Sequence, residues 1–488
     1  MRLPLIEGAY TARSVIADAQ RAVNLYPEKN PKDSLVPFTH YNAPGLTALN
    51  TPPTAGAGRG LYWANNDALY GVVWNTLYAI GGPPSWTFTA LGSTTFGAPI
   101  VSMADNGTTL VLVDGTPNGY QVDLGTNAFS AISAATNAPP SPQVYAFYGA
   151  DRVDMLDGFM LFNQPGTRNF YSTYDNEIVF DATYFAAKNG YSDDLVSLIV
   201  SRREAWLGGK RTAELWFNAG DANFPFEIMP GPFIQHGISA KYSLAQIDGA
   251  VFWLAQDQAG NNIAVMGEGY FAREISNPAL TTEWSTYSTT TDAQGFCFQQ
   301  GAHSFYQINF PTADKSWRFD KSTGLWHEPV WTDGQGYEHR HRAACVAYAY
   351  GINVALDWQT GQLYQIDPNA YQDAGAPMYF RRGFPHAMND GKRVIYPGFS
   401  LDVEGATSPN TVSASPPLIN LRWSDTRGRT WSEPVSQSIG ATGQYYTQPK
   451  WSRLGMARDR VFEIYGVIPG RLAINGAFLD PQPISLAS

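Results

Sequence analysis

The residues best suited to bind a metal ion are three histidines, His327, His339 and His341. Imidazole nitrogens are common zinc ligands, and side chains two positions apart lie on the same face of a β-strand, as expected of His339 and His341. No cysteine or carboxylate stands at a fixed metal-ligand spacing from them. Isolated surface histidines are the alternative interpretation, and we predict no metal site and no cofactor.

Carboxylates suited to acid–base chemistry occur at Asp151, Asp154 and Asp157, and at the adjacent pair Asp193 and Asp194. These residues stand near glycines in segments that are expected to be loops. In such loops aspartate more often accepts hydrogen bonds from its own turn than it transfers protons. We therefore assign none of them a catalytic role.

Two glycine-rich segments bear a superficial likeness to nucleotide-binding loops. Residues 208–212 read GGKRT, so Arg211 occupies the position at which a phosphate loop carries its magnesium-binding serine or threonine. Residues 56–60 lack the dinucleotide-binding spacing and precede a strand, whereas that motif opens a helix. We interpret the first segment as a hairpin turn and the second as a flexible lead-in to a strand.

The sequence contains no nucleophile elbow, zinc-binding His-Glu-x-x-His helix, paired Cys-x-x-Cys motif or EF-hand loop. Residues 424–431 are similar to the Asp-box hairpin of sialidase-type propellers, although Asp425 stands one position early. In that family the box is a structural turn, and here it occurs once, so it predicts a β-hairpin. We predict a protein that is not an enzyme and has no catalytic, cofactor-binding or metal-binding residues.

Charge and composition argue against several classes of partner. The 488 residues include 32 Lys and Arg against 42 Asp and Glu, a net charge of −10, which disfavours general binding to nucleic acid or anionic membranes. Two cysteines, Cys297 and Cys345, cannot staple a chain of this size, so packing and hydrogen bonds must stabilise it. The first residues lack an apolar signal segment and no apolar run is long enough to span a membrane. We expect a protein made in the cytoplasm, without a membrane anchor.

Short strand signals, separated by turns with Asp or Asn next to Gly, recur along residues 57–375 at intervals of about forty residues. The repeated units cover residues 61–80, 100–123, 153–162, 195–217, 242–275, 295–331 and 343–366. This spacing predicts an all-β fold with a β-propeller of about six or seven blades. A pair of stacked β-sandwiches is the alternative.

The character of the chain changes near Pro377. Residues 376–488 carry 12 Lys and Arg against 8 Asp and Glu, whereas residues 1–375 carry 20 against 34. Alternating apolar runs over residues 393–466 are typical of a compact sandwich. We therefore predict a C-terminal β-sandwich-like domain over residues 376–488.

The first residues of the chain resemble neither domain. Residues 1–56 are rich in proline and asparagine and show little of the alternation expected of a packed strand. We interpret them as an N-terminal arm that lies on another surface. Residues 11–44 are accordingly expected to contribute more to assembly than to the fold.

Several fragments, in order along the chain, resemble one known protein family. The first is RAVNLYPE at residues 21–28, followed by APGL at 43–46 and RGL at 59–61. The others are residues 214–217, 220–221, 224–227, 235–238, 273–276, 424–431, 451–455 and 458–463. Together they resemble the packaged-DNA stabilisation proteins of short-tailed bacteriophages, also called tail accessory, hub or nozzle proteins.

This resemblance implies a virion structural protein of the phage tail that assembles as a homo-oligomeric ring, a hexamer, below the portal and head-to-tail adaptor proteins. Such a ring closes the DNA channel after packaging and holds the tail needle, fibres or spikes. Genomic DNA passes through its lumen on ejection without sequence-specific binding. The family implies no catalytic residues. The alternative is a glycan-binding or glycan-hydrolysing β-propeller, in which aromatic rings stack on sugars and paired carboxylates act on the glycosidic bond.

The charge distribution adds an expectation about DNA. Residues 1–375 carry too many carboxylates to neutralise many phosphates, so the lumen of a ring should repel DNA. The basic residues Arg453, Arg458 and Arg460 are expected to bind acidic protein surfaces or to form internal salt bridges.

Overall fold

A computed structural model shows an all-β chain that forms a propeller and a β-sandwich, which confirms the predicted fold class. The structure describes residues 2–3, 20–34, 36–221, 224–407, 416–441, 444, 446–480 and 482–483. Helices are few: Ala134–Asn137 and Pro278–Ser285. Among these described residues, no helix has both the length and the apolar character needed to cross a membrane.

Seven blades form the propeller, and six of them are four-stranded antiparallel sheets in which consecutive strands pair. Their strands are, for blade 1, Gly58–Trp63, Leu69–Val73, Thr76–Ile80 and Phe88–Ser93; for blade 2, Ser102–Asp105, Thr109–Val113, Gly119–Asp123 and Phe129–Ala131; for blade 3, Val153–Leu156, Phe159–Asn163, Asn169–Tyr174 and Glu177–Ala187; for blade 4, Leu195–Ser201, Glu204–Gly209, Ala213–Asn218 and Phe226–Ile228; for blade 5, Ala245–Ile247, Ala250–Gln256, Asn262–Glu268 and Phe271–Glu274; and for blade 6, Gln294–Gln300, His303–Phe310, Lys315–Asp320 and Leu325–His327. The first strands of successive blades pack against each other around the centre of the ring.

Blade 7 combines strands from two distant parts of the sequence. Ala343–Ala349, Ile352–Asp357 and Leu363–Asp367 form its first three strands, and Gly45–Asn50 forms the outer strand, antiparallel to the third. The short strands Gln372–Asp373 and Ala376–Pro377 extend this sheet beyond the outer strand. Because the N-terminal segment supplies the outer strand, backbone hydrogen bonds close the ring of blades.

The middle strands of the blades are largely buried because neighbouring blades cover both faces. Every residue of the blade 6 strand His303–Phe310 is buried. Phe252 of blade 5 and Tyr306 of blade 6 stack across one of these contacts, with ring centroids 5.0 Å apart. Hairpins between the strands use left-handed residues, as at Asp157 and Gly158, whose φ angles are 52° and 92°.

Two packed sheets form the sandwich. One sheet contains Leu25–Lys29, Phe38–Asn42, Arg471–Leu479, Gly398–Thr407 and Lys450–Ser452, with Arg2–Leu3 paired to Arg471–Leu479. The other contains Ala22–Val23, Tyr379–Gly383, Asp459–Val467, Leu418–Ser424 and Val435–Ser438, with Ala387–Met388 paired to Asp459–Val467. A small sheet of Met456–Ala457, Val394–Ile395 and Gln482–Pro483 lies beside them, and Val330–Thr332 pairs with Glu338–Arg340 between blades 6 and 7. Phe399, Trp451 and Phe462 lie in the sandwich core.

The described residues of the N-terminal segment differ from the predicted arm. Residues 20–50 form strands of both the sandwich and blade 7, and Val23, Leu25 and Leu46 are almost completely buried. This arrangement could not be predicted from the sequence, because the strands are short and most of their partners lie hundreds of residues away. Residues 1 and 4–19, on which much of the arm prediction falls, lie outside the described residues.

Candidate functional site

The histidines considered as metal ligands occupy three unlike environments. His327 is fully buried and neither ring nitrogen has a hydrogen-bond partner. His341 is also buried, and desolvation lowers the pKa of both residues well below the ordinary value. His339 lies at the surface, 2.6 Å from the carboxylate of Asp314. Among the described residues, no group of three or more His, Cys, Asp or Glu is arranged to hold a metal ion.

The buried His327 predicts a pH effect on stability. Its folded-state pKa lies below 6.5, its ordinary value, so the stability contributed by the neutral ring is present above that pH. It is lost on acidification because the unfolded chain then takes up the proton more readily. We expect the loss of unfolding free energy between pH 7 and pH 5 to be smaller by about 2 kcal/mol in H327L than in the wild type, as measured by urea unfolding.

His339 supplies a control with the opposite sign. The hydrogen bond to Asp314 raises its pKa, so His339 contributes stability that is present at low pH and lost as the pH rises. The variant H339Q should therefore lose more stability than the wild type between pH 7 and pH 5. An H327L protein with the wild-type pH dependence would show that this ring is not held neutral.

The three aspartates at the start of blade 3 connect that blade to its neighbours. Asp151 lies 2.7 Å from the ammonium group of Lys241, and Asp157 accepts two hydrogen bonds from Arg203. Asp154 accepts a backbone N–H of blade 4, and burial raises its pKa to about 6. The carboxylates thus form separate links between blades instead of one acid–base site.

Asp193 and Asp194 both contact the glycine-rich segment 208–212. This segment contains the turn between the second and third strands of blade 4. The fully buried Lys188 contacts Asp193, lies 3.7 Å from the buried Glu214 and donates a 2.8 Å hydrogen bond to Thr212. Asp194 forms an exposed ion pair with Lys210. The arrangement is a structural ion cluster around a hairpin.

The hairpin predicted at residues 424–431 is present, but a serine organises its turn. The hydroxyl oxygen of Ser424 accepts the backbone N–H of Gly428 at 2.8 Å. Asp425 instead accepts two hydrogen bonds from Arg460, which is 2% exposed. Arg460 therefore forms an internal salt bridge, one of the two roles expected for it.

Ion pairs join the sandwich to the propeller. Arg21, next to a sandwich strand, lies 2.6 Å from Glu328 and 2.7 Å from Glu338, both in the connection between blades 6 and 7. Arg381 of the sandwich lies 3.0 Å from the same Glu338. The side chain of Asn24 accepts a backbone N–H from this connection and donates to a backbone carbonyl of the sandwich. These contacts are directional, so they fix one domain against the other.

An aromatic contact lies beside these ion pairs. The Tyr26 ring of the sandwich packs edge-on against His303 and Phe305 of blade 6, with centroids 5.2 and 6.0 Å away. A cleft of about 300 Å³ opens next to it, lined among others by Tyr41, Tyr371 and Arg471. The junction therefore combines apolar packing, ion pairs and a cleft rich in phenol groups.

Charge is distributed unevenly over the propeller. The turns between first and second strands, and between third and fourth strands, lie on one face, which we call the hairpin face. Its described carboxylates include Asp67, Asp123, Asp157, Asp175, Glu177, Glu204, Asp248 and Glu268. The basic residues on its described turns are Arg202, Arg203 and Lys321. The hairpin face is consequently acidic and poorly suited to neutralise phosphates.

Solved β-propeller structures are among those similar to this chain. A streptogramin B lyase structure matches with a TM-score of 0.43 and 12% identity, covering 66% of this chain and 96% of that chain. The WD40 propeller domain of Doa1 matches with a TM-score of 0.37 and 11% identity, over 66% and 96% of the two chains. The N-terminal domain of Nup159 matches with a TM-score of 0.40 and 8% identity, over 70% and 97%. No curated protein sequence matches the chain.

Two family profiles match nearly the whole sequence. The profile of the bacteriophage P22 Gp10 β-propeller matches residues 1–371. The profile of the bacteriophage P22 Gp10 β-sandwich matches residues 379–481. The first range contains all seven blades and the N-terminal strands that join the sandwich, and the second contains most of the remaining sandwich strands. The chain therefore belongs to the bacteriophage P22 Gp10 family, whose members stabilise packaged DNA, and it is a structural protein of a phage tail.

Proposed function

We propose that this protein forms a homo-oligomeric ring of six copies below the portal and head-to-tail adaptor proteins of the virion. The ring closes the DNA channel after packaging and holds the tail needle or spikes. The chain is made in the host cytoplasm, acts in the virion tail and catalyses no reaction. Family membership supports the tail location, and the ring itself is inferred from the two-domain geometry.

The observation that carries this proposal is the ion-paired junction between the propeller and the sandwich. Arg21 and Arg381 hold Glu338 from two sides, so the domains form one wedge with two chemically different ends. A subunit with two different contact surfaces in a fixed orientation can bind copies of itself head to tail and close a ring. A flexible linker would not fix the angle that closure needs.

The charge of the propeller supports a passive conduit for DNA. An acidic hairpin face gains no counterion-release energy from phosphates, so it holds no duplex by charge. DNA would then be retained by constriction of the ring or by a partner that plugs it, and would pass on ejection without sequence-specific contacts.

Electron microscopy of the purified protein mixed with the portal–adaptor complex tests this function, with light scattering on the protein alone. We expect a closed ring of six copies below the adaptor. In R21Q, Glu328 and Glu338 lose their shared cation, so the yield of rings should fall, whereas R203Q removes an exposed ion pair and should assemble normally. A wild-type protein that stays monomeric and does not bind the complex would contradict the proposal.

A further inference from the structure

One end of the sandwich presents apolar side chains among cations. Met388, Ile395 and Met456 are 47%, 41% and 44% exposed. Ile395 pairs with Met456 and Val394 with Ala457 in the small sheet, and Arg393 and Arg458 lie next to this pairing, one beside each strand. Lys392, Arg393 and Arg458 are all exposed. We call these six residues the basic end of the sandwich.

The cations of this surface have no ionic partner within the part of the chain that the structure describes. Lys392, Arg393 and Arg458 form no ion pair with any residue that the structure describes, in contrast to Arg427 and Arg460, which pair with Asp459 and Asp425. An exposed apolar centre with a charged rim is the usual composition of a protein interface. The basic end is therefore a docking surface for an acidic and partly apolar partner.

A surface with the complementary composition lies on the propeller. Asp175 and Glu177 are exposed at the turn that begins the outer strand of blade 3, and within the described chain neither forms an ion pair. Phe185 on the same strand is 49% exposed. Val144, whose carbonyl oxygen accepts a hydrogen bond from this strand, is 65% exposed. We call these four residues the acidic rim of blade 3.

The two surfaces lie on different sides of the subunit. The sandwich is attached at blades 6 and 7, through Arg21 with Glu328 and through the segment that leads into Gly45–Asn50. In a ring of seven blades, blade 3 lies across the centre from blades 6 and 7. The basic end and the acidic rim are thus separate patches, and a head-to-tail contact between copies requires two different patches of this kind.

We propose that the basic end of the sandwich of one copy docks on the acidic rim of blade 3 of the next copy. This inference rests on the proposed ring and names the surfaces that close it. Arg393 and Arg458 pair with Asp175 and Glu177 across the contact, while the methionines and Ile395 cover Phe185 and Val144. The partner that binds the basic end is a second copy of this chain, because the chain itself carries both surfaces and their charges are opposite.

Charge reversal on each surface, followed by their combination, tests the contact in the full-length chain. The variants are R393E/R458E, D175R/E177R and the combination of all four substitutions. K32E/R273E is the matched control, since it reverses two exposed cations that form no ion pair with described residues. Assembly is measured by light scattering and by ring counts on the portal–adaptor complex, and circular dichroism confirms folding.

Each double reversal should lower the ratio of rings to monomers at least about tenfold at 0.15 M salt, because like charges then face each other. The combined variant should recover rings, because the pairs re-form with exchanged signs, and K32E/R273E should assemble like the wild type. Rings that persist in both double variants, or a combined variant that stays monomeric while folded, would overturn the contact and leave the ring proposal intact. Absence of wild-type rings in both assays would overturn both.

The same variants separate this contact from DNA binding by the basic end. Fluorescence anisotropy with a short duplex should show no sub-micromolar binding by the wild type at 0.15 M salt. The contradicting outcome is a wild type that binds the duplex with sub-micromolar affinity and an R393E/R458E variant that loses this binding but still forms normal rings. The surface would then be a phosphate site and the docking proposal would be wrong.

Discussion

Deletion of residues 1–50 is expected to abolish the folded state of the whole chain. The deletion removes the outer strand of blade 7 together with strands of both sandwich sheets. It also removes Val23, Leu25 and Leu46, which are 2%, 0% and 1% exposed. Burial of each such side chain contributes about 2 kcal/mol, and their loss with that of the paired strands exceeds a typical total stability of about 5 to 15 kcal/mol. Size-exclusion chromatography and circular dichroism should show aggregated or unfolded protein.

Single substitutions in the strand Gly45–Asn50 should destabilise the fold to an extent that depends on the burial of the replaced side chain. Leu46 packs among Phe296, Phe298 and Tyr364, so L46A should lower the unfolding free energy by about 3 kcal/mol. Thr47 is exposed, and T47A should change it by less than about 0.5 kcal/mol. A truncated chain that remained soluble, with native circular dichroism and a cooperative thermal transition, would mean that residues 1–50 act in assembly, as the sequence suggested.

The blades could be predicted from the sequence, whereas the strands of the N-terminal segment could not. Most blades are local meanders, so strands, turns and their repeat of about forty residues stand next to each other in the sequence. The strand Gly45–Asn50 pairs with Leu363–Asp367, and no local pattern marks a partner so far away. Its exposed positions, which include Thr47 and Asn50, further weaken the apolar signal.

The same limit applies to the polar clusters. Asp193 and Asp194 were recognisable as turn residues, and the turn at 208–212 as a hairpin, from local composition. The buried contact of Lys188 with Asp193 and Glu214 was not, because its members come from separate strands and turns of blades 3 and 4. The role of Ser424 as the acceptor in its turn was equally hidden, since a serine or an aspartate side chain can accept the N–H groups of a turn.

Replacement of Lys188 by methionine should strongly destabilise the propeller. Lys188 is 0% exposed, and its partners Asp193 and Glu214 are 7% and 1% exposed in their side chains. Methionine fills a similar volume but leaves two buried carboxylates without a cation, which should cost about 3 to 5 kcal/mol of unfolding free energy at pH 7. Urea unfolding measures this cost. The control K210M breaks the exposed pair with Asp194 and should cost less than about 1 kcal/mol.

The pH dependence of this variant distinguishes loss of a charge from loss of packing. Desolvation opposes ionisation of Asp193, but hydrogen bonds from Lys188 and from the 208–212 turn outweigh it and hold the pKa below its ordinary value of 3.8. In the wild type this contribution to stability is therefore present above pH 3.8 and lost only in stronger acid.

Without the lysine, desolvation is expected to raise the pKa of Asp193, so K188M should lose stability as the pH rises and this carboxyl group ionises. The difference in unfolding free energy between wild type and K188M should accordingly be large at pH 7 and shrink towards about pH 4. A difference that stays constant over this range would mean that Lys188 acts through the packing of its aliphatic chain, and that the remaining hydrogen-bond donors satisfy the carboxylates of Asp193 and Glu214.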